Sequence, residues 1–231
     1  MKKEALYKEF AKYYDLIYKY KKYDGETKFI NLVVKKNKVK GNKLLDVACG
    51  TGSHDKVLVE NGYDVFGVDL NDEMLKIAKK KVPQAKYQQG DMKNFSLGKK
   101  FDIVICLFTS LNYNLRKNDL LNTVKNFKKH MKDYGIMILD CPSFTPRKYM
   151  LRPFAFKVKG KIVMVLYEFN TDKNQKVDIT IYWQIPKGKK YEAVKDYHSL
   201  QGYTIAEYKD VVNKAGLKYN VYWDFSTKKK K

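Results

Sequence analysis

The sequence predicts an α/β protein built on a doubly wound, mostly parallel sheet. Three observations lead there. Short apolar runs alternate with helix-like stretches between residues 44 and 141. Those runs lack polar alternation, as expected of strands buried on both faces. The first run ends in a glycine-rich turn, Cys49-Gly50-Thr51-Gly52, that opens a helix.

Residues 5–36 read as two helices. Tyr7, Phe10, Tyr14, Ile17 and Tyr18 recur at spacings of three and four, and so do Phe29, Leu32 and Val33. Asp24-Gly25 is expected to separate them. The strand-and-helix alternation then begins. Leu44 to Ala48 is the first strand, followed by a helix to Glu60 and a stop at Asn61-Gly62. Tyr63 to Val68 is the second strand. Asn71-Asp72 caps a helix carrying Met74, Leu75 and Ile77. Ala85 to Gln89, Phe101 to Leu107 and Gly135 to Leu139 are the third to fifth strands, with a helix over Asp119 to Met131 before the fifth. Beyond Pro142 the texture changes to long runs split by turns: Phe154 to Val158, Ile162 to Phe169, Val177 to Ile185 and Tyr191 to His198. These predict an antiparallel β lid inserted after the fifth strand. A helix over Thr204 to Ala215 and a strand over Leu217 to Phe225 close the pattern. The expected organisation is a single domain. It comprises an N-terminal helical cap (1–43), a core (44–141), a lid and substrate region (142–200), and a last helix, strand and lysine tail (201–231).

Composition narrows the function. Of the 47 basic residues, 44 are Lys and only Arg116, Arg147 and Arg152 are Arg. Bidentate readers of nucleic acid rely on Arg, so the net charge of +22 points less to nucleic acid than to a solvated surface or an anionic small molecule. Residues 44–141 carry 15 basic and 12 acidic side chains, so the excess belongs to the two ends. No apolar run approaches the roughly 18 residues of a membrane helix. Cys49, Cys106 and Cys141 are too scattered for a disulfide framework or a zinc site. An intracellular, cytoplasmic protein with no membrane partner is expected.

Ligands of such sheets bind beyond the carboxyl ends of the strands. Here those ends carry acids. Asp46 precedes the glycine turn, Asp69 ends the second strand, and Asp91 follows the third within Gly90-Asp91-Met92. The third glycine of a dinucleotide fingerprint would fall at position 55, which is Asp55. A carboxylate there sits badly with a pyrophosphate. Asp69 is placed to accept from both ribose hydroxyls, and Asp91 from an adenine amino group. The set suits a nucleoside with a cationic tail.

Leu44-Leu45-Asp46-Val47-Ala48-Cys49-Gly50-Thr51-Gly52, Gly67-Val68-Asp69-Leu70 with Met74-Leu75, Gln89-Gly90-Asp91-Met92 and Phe101-Asp102-Ile103-Val104 follow one another in order. Together they resemble the successive motifs of class I S-adenosylmethionine-dependent methyltransferases. Within that class the chain is most similar to the amino-sugar N,N-dimethyltransferases, and more loosely to glycine-type N-methyltransferases. Further segments carry this: Tyr14-Asp15-Leu16-Ile17-Tyr18 with Lys22-Tyr23 and Glu26, Ser53-His54, Phe95-Ser96-Leu97-Gly98, and His198 ahead of Thr204.

The resemblance implies S-adenosylmethionine as cofactor and a Rossmann-like fold. It implies that Ala48 and Gly50, with Gly52 and Asp46 in the same loop, lie against the methionine part. Asp69 would bind the ribose. Leu70 and Met92 would enclose the adenine with Met74 nearby, and Asp91 would take its amino group. The Leu107 carbonyl would face the ammonium, and Tyr14 and Tyr23 would close over the cofactor. Methyl transfer to an amine needs alignment more than a strong base, and the resemblance assigns Tyr18 and His198 to orient the amine or take its proton. The acceptor expected is a small molecule, anionic or nucleotide-linked. An RNA or protein methyltransferase and a non-catalytic cofactor-binding subunit are the rival readings. The chain departs from the family where Ser110-Leu111-Asn112-Tyr113 replaces Ser-Ile-Gly-Tyr. It also lacks residues for a seventh strand beyond the predicted sixth.

Overall fold

The computed structural model describes residues 2–223 and Phe225. Its strands are β1 (Lys2–Lys3), β2 (Lys43–Val47), β3 (Asp64–Asp69), β4 (Lys86–Gln89), β5 (Phe101–Cys106), β6 (Met131–Leu139), β7 (Arg147–Val158), β8 (Lys161–Thr171), β9 (Lys176–Lys187) and β10 (Lys190–Gln201). Its α-helices are α1 (Ala11–Ile17), α2 (Tyr23–Lys36), α3 (Ser53–Glu60), α4 (Asp72–Lys81), α5 (Lys117–Lys129) and α6 (Ile205–Lys214).

The parallel sheet runs β4-β3-β2-β5-β6, with all four pairings parallel. The apolar runs sort by the two-residue period of a strand. Leu45, Val47, Val68, Val104 and Cys106 point to the face covered by α5 and α6, through Leu120, Val124, Phe127, Tyr208 and Val211. Leu44, Val65, Ile103 and Ile105 point to the other face, under Phe29, Ile30 and Val33 of α2 and Leu58 of α3. Helices on both faces explain why the runs show no polar alternation.

The second sheet runs β1-β10-β9-β8-β7. It follows the fifth parallel strand, where the change of texture predicted antiparallel strands, and β7 to β10 pair antiparallel. Its inner face carries Phe156, Val163, Val165, Tyr167, Ile181, Trp183 and Leu200, packed on Leu6, Phe10, Tyr13 and Ile17. The N-terminal segment therefore does not act as one cap. Its first part, with α1, belongs to the core of the antiparallel sheet, and α2 belongs to the core of the parallel sheet.

Three boundaries differ from expectation. Asp24-Gly25 lies in the first turn of α2 rather than between the helices, and the break falls over residues 18–22. A glycine in a first turn forfeits little, because that turn is held by tertiary packing rather than propensity. β6 begins at Met131, with its register against β5 shifting between Phe101 and Ile103. Among the described residues, Leu217 to Phe225 form no strand, and only Trp223 makes an isolated bridge. Tyr222 and Phe225 instead set their ring edges against Phe29, at 5.5 and 5.6 Å between centroids. The predicted lysine tail, Lys228 to Lys231, lies outside the described residues.

Candidate active site at the carboxyl edge of the parallel sheet

The glycine turn between β2 and α3 is wound through left-handed backbone. Ala48, Gly50 and Gly52 have φ of 62°, 58° and 72°. At Gly52 a Cβ would lie 2.9 Å from the Tyr87 hydroxyl, so a side chain there is excluded by space as well as by φ. Asp69 fixes the turn from the neighbouring strand. Its Oδ2 accepts from the Gly50 N–H at 2.9 Å and its Oδ1 from the Asn71 N–H at 2.9 Å. Burial pushes this carboxyl up, and the hydrogen bonds from Asn71 and Gly50 oppose that.

Above the turn lies a narrow cleft. Tyr14, Tyr23, Asp46, Ala48, Gly50 and Leu107, all expected to contact a cofactor, line it, whereas Gly52, expected with them, does not. Cys49, Thr51, Ser53, His54, Phe108 and Ser110 line it too. Burial raises the Cys49 thiol well above its ordinary range, which disfavours the thiolate. Burial also raises Tyr14 strongly and Tyr23 to about 12, which keeps both as neutral phenols. The Leu107 carbonyl accepts from the Ser110 hydroxyl at 2.9 Å.

The residues expected at the adenine end are not gathered in this cleft. Leu70 is exposed at the β3 end. Met74 is buried under Gly50. Asp91 lines a separate groove with Lys93, Asn94, Asn122, Lys125, Asn126 and Lys129. Met92 packs against the α5 side of the core, where its sulfur meets the Asn114 amide at 3.3 Å.

The predicted catalytic pair also separates. Tyr18 stands just past α1, its ring edge-on to Phe108 at 5.1 Å and tilted against Tyr14 at 4.7 Å. His198 is buried with both ring nitrogens engaged. Nε2 meets Asp196 Oδ2 at 3.1 Å and Nδ1 meets the Tyr113 hydroxyl at 2.9 Å. Tyr113 in turn meets the Tyr7 hydroxyl at 2.7 Å. The chain Asp196, His198, Tyr113, Tyr7 ends against Tyr14, whose ring centroid is 6.1 Å from that of Tyr7. Asn112, at the departure from Ser-Ile-Gly-Tyr, is fully buried, and its amide donates to the Gln201 carbonyl at 2.7 Å and meets the Tyr208 hydroxyl at 3.1 Å.

Two polar clusters hold the N-terminal segment onto the turn. Lys81 Nζ reaches Asp15 Oδ2, Thr51 Oγ1 and Ser53 Oγ at 2.8, 3.0 and 2.8 Å. Asp15 also accepts from Thr51 at 2.6 Å. Glu26 pairs with His54 at 2.6 Å and with Lys21, and these partners keep its carboxyl low against the opposing effect of burial. The only sequence signal for these residues was that Asp15, Glu26, Thr51, Ser53 and His54 fall inside the segments of resemblance. Nothing marked Lys81.

Behind the turn, Asp46 and Asp55 are buried side by side. Burial first, and then the mutual repulsion, raise Asp46 well above the carboxylate range, and burial raises Asp55 too. Asp55 faces the Asp46 carboxyl and the Tyr87 hydroxyl, yet neither of its oxygens makes a well-formed hydrogen bond, so a proton retained on the pair ties the two carboxyls together. The folded state thus binds a proton that the unfolded chain releases near pH 4, and stability falls as pH rises above that range. Asp55→Asn supplies a permanent donor. It is expected to raise Tm at pH 8 by roughly 3–6 °C and by less at pH 5. Equal Tm for the two proteins at pH 8 would dispose of the shared proton.

Beyond β5, after Leu107, come two consecutive non-glycine residues in the left-handed region, Phe108 at φ 56° and Thr109 at φ 68°. Each costs roughly 1–2 kcal/mol, and a β-branched residue there is an outlier. Asp140, at the end of β6, accepts from the Thr109 N–H at 3.2 Å, with the Phe108 N–H also turned toward it.

A cleft at the carboxyl edge of the β4-β3-β2-β5-β6 parallel sheet, with a glycine turn, a buried carboxyl and, among the described residues, no Lys or Arg in its lining, fits a nucleoside cofactor that is cationic rather than phosphorylated. This defines the class I S-adenosylmethionine-dependent methyltransferase fold. Residues 44–135 match the family model described as a methyltransferase domain. The chain is 29% identical over 214 residues to a dTDP-3-amino-3,4,6-trideoxy-alpha-D-glucopyranose N,N-dimethyltransferase of Streptomyces venezuelae, covering 90% of each chain. It is 26% identical to the solved sugar N-methyltransferase KedS8 from Streptoalloteichus, with a TM-score of 0.80 over 88% of this chain and 83% of that one. A methyltransferase from Clostridium acetobutylicum shares the fold at 24% identity, with a TM-score of 0.80 over 97% of this chain and 94% of that one. The protein is an enzyme, a class I methyltransferase similar to amino-sugar N,N-dimethyltransferases, and its cofactor is S-adenosylmethionine. Among the described residues no helix is long and apolar enough to cross a membrane.

Proposed function

We propose that the enzyme N-methylates the amine of a small, nucleotide-linked amino sugar. The observation that carries this reading is the similarity to an amino-sugar N,N-dimethyltransferase across 90% of both chains, a span well beyond the common core. The basic excess of the two ends suits an acceptor bearing phosphates. The three cysteines are free, which agrees with a cytoplasmic setting.

Bound S-adenosylmethionine supplies an electrophilic methyl group, and the protein's part is to align the amine and exclude water. In this reading Ala48, Gly50, Asp46 and Leu107 hold the methionine end, Asp69 holds the ribose, and Asp91, Met92, Leu70 and Met74 serve the adenine end. Tyr14 and Tyr23 cover the cofactor, and the antiparallel sheet closes the acceptor side. An amine that arrives protonated must lose a proton before its lone pair can attack. Tyr18, against Phe108 at the cleft wall, orients it. His198 works through Tyr113 and Tyr7 rather than by touching the acceptor, because both of its nitrogens have protein partners. It is a positioning and proton-accepting residue at second hand.

The test is methyl transfer from labelled cofactor to dTDP-linked amino sugars and to simple amines, with the product's methylated atom identified by NMR. Tyr18→Phe and His198→Ala are each expected to lower kcat by about 100-fold with little change in cofactor affinity. Methylation only on oxygen, or no product from any amine, would overturn the reading. Unchanged kcat in both variants would remove these two residues from it.

A further inference from the structure

We propose that Asp140 is a positioning residue for cofactor binding, acting by holding the strained Phe108–Thr109 turn in place. Four observations converge on it. Phe108 and Thr109 stand consecutively in left-handed backbone with no glycine to ease it. Phe108 and its neighbours Leu107 and Ser110 line the cleft against Ala48 and Gly50. The Asp140 carboxylate accepts from the Thr109 N–H at 3.2 Å, and the Phe108 N–H is turned toward it. The backbone of Asp140 is itself fixed, because its N–H donates to the Cys106 carbonyl at 3.0 Å and so continues the β5–β6 pairing beyond the strand ends.

Strained non-glycine backbone persists only where surrounding groups over-determine it. Here an acceptor on one strand end captures the donors of the turn that leaves the adjacent strand end. The turn sets three groups at once. It aims the Leu107 carbonyl, which the Ser110 hydroxyl also grips at 2.9 Å. It presents the Phe108 ring to the edge of Tyr18 at 5.1 Å. It places that ring under Lys21 Nζ at 4.4 Å, and Lys21 pairs with Glu26 of the segment that covers the cleft. Releasing the turn would therefore loosen the cleft wall and one anchor of its cover together.

The inference rests on the chain's being an S-adenosylmethionine enzyme, and not on which acceptor it takes. The experiment is a double-mutant cycle read by calorimetric Kd for S-adenosylmethionine and S-adenosylhomocysteine, with Tm alongside. Asp140→Ala is expected to weaken both ligands about tenfold or more. Glycine adopts positive φ freely, so adding Thr109→Gly removes part of the strain that Asp140 opposes. In the Thr109→Gly background the loss caused by Asp140→Ala should shrink at least about threefold. A residue that merely supports the fold would lower Tm and show no such coupling. If Asp140→Ala does not fold, Asp140→Leu, which fills the space and offers no acceptor, is run in the same cycle. A wild-type Kd for either variant, or an equal loss in both backgrounds, overturns the proposal. Absence of binding by the wild-type chain would instead overturn the cofactor assignment, and a failed acceptor screen touches neither.

Discussion

Asp69→Ala is expected to weaken S-adenosylmethionine binding by about 100-fold or more while the chain stays folded. Asp69 is buried, and its two oxygens accept from Gly50 and Asn71, both at 2.9 Å. The first bond ties the glycine turn to β3, and the second steadies the entry to α4. A hydrogen bond to a charged acceptor is worth about 1.5–3 kcal/mol. Loss of the bond to Gly50 leaves the left-handed turn to find another shape, and the resemblance adds the ribose hydroxyls to what is forfeited. Two such losses together amount to about 3–4 kcal/mol, which exceeds a factor of 100 in Kd. Asp69→Asn keeps an acceptor oxygen and the shape, so its effect should fall between the two. Asp72→Ala, an exposed acid three residues on, controls for the local loss of charge. Calorimetric titration decides the matter. A Kd for Asp69→Ala within about threefold of the wild type would mean that the nucleoside lies elsewhere.

The parallel sheet was legible because its physics is local. Runs such as Leu44 to Val47 and Ile103 to Cys106 are apolar at every position but Asp46, and a strand covered on both faces needs that. The glycine turn was legible because positive φ at Gly50 and Gly52 leaves a mark in composition. The strand predicted over Leu217 to Phe225 shows how the same reasoning fails. Leu217, Tyr219, Val221, Trp223 and Phe225 alternate as a half-buried strand would, yet Tyr219, Val221, Trp223 and Phe225 are all exposed. The residue that packs on Phe29 beside Phe225 is Tyr222, out of phase with the pattern. Alternation states what a strand would bury, not whether a neighbouring strand exists to pair with it. The division of the N-terminal helices between two cores was hidden for a related reason. Both α1 and α2 show spacings of three and four, and that period does not say which sheet the apolar stripe meets. Of the site, the acids at strand ends could be read, because topology alone brings strand ends together. Lys81 on Asp15, and Asp140 under Thr109, are meetings of segments far apart in the chain, and neither leaves a local trace. His198 stood out in the sequence, but its burial and its contact with Tyr113 did not, since both follow from the register that sets β10 beside the N-terminal segment.

That register makes Asp196 the other position where a single substitution should tell most. Its carboxylate is fully buried and accepts from the Ala5 and Leu6 N–H groups, each at 2.8 Å, and from His198 at 3.1 Å. β1 pairs with β10 at the same place, Lys2 opposite Asp196. Ala5 and Leu6 are themselves buried, so Asp196→Ala strands two backbone donors away from water and leaves His198 without its Nε2 partner. Loss of such a network is expected to cost about 3–5 kcal/mol. For a chain of this length that lowers Tm by roughly 6–15 °C, which a thermal melt will read. The functional consequence should be selective. The segment released carries Tyr7 and leads into α1, with Tyr14 in it and Tyr18 just past it, whereas Asp69 and the glycine turn keep their own hydrogen bonds. At a temperature well below the lowered Tm, kcat should therefore fall by about 100-fold or more, as for loss of a proton-transfer group. Cofactor Kd should change by about tenfold at most. Asp196→Asn separates the two roles. Its one acceptor oxygen can cap a single N–H, and its neutral amide cannot offset the charge on His198 when that ring takes the proton, so it should recover part of the stability without recovering kcat. Should kcat survive Asp196→Ala once the protein is folded, the chain from Asp196 through His198 and Tyr113 to Tyr7 is an anchor for the N-terminal segment and has no part in moving the proton.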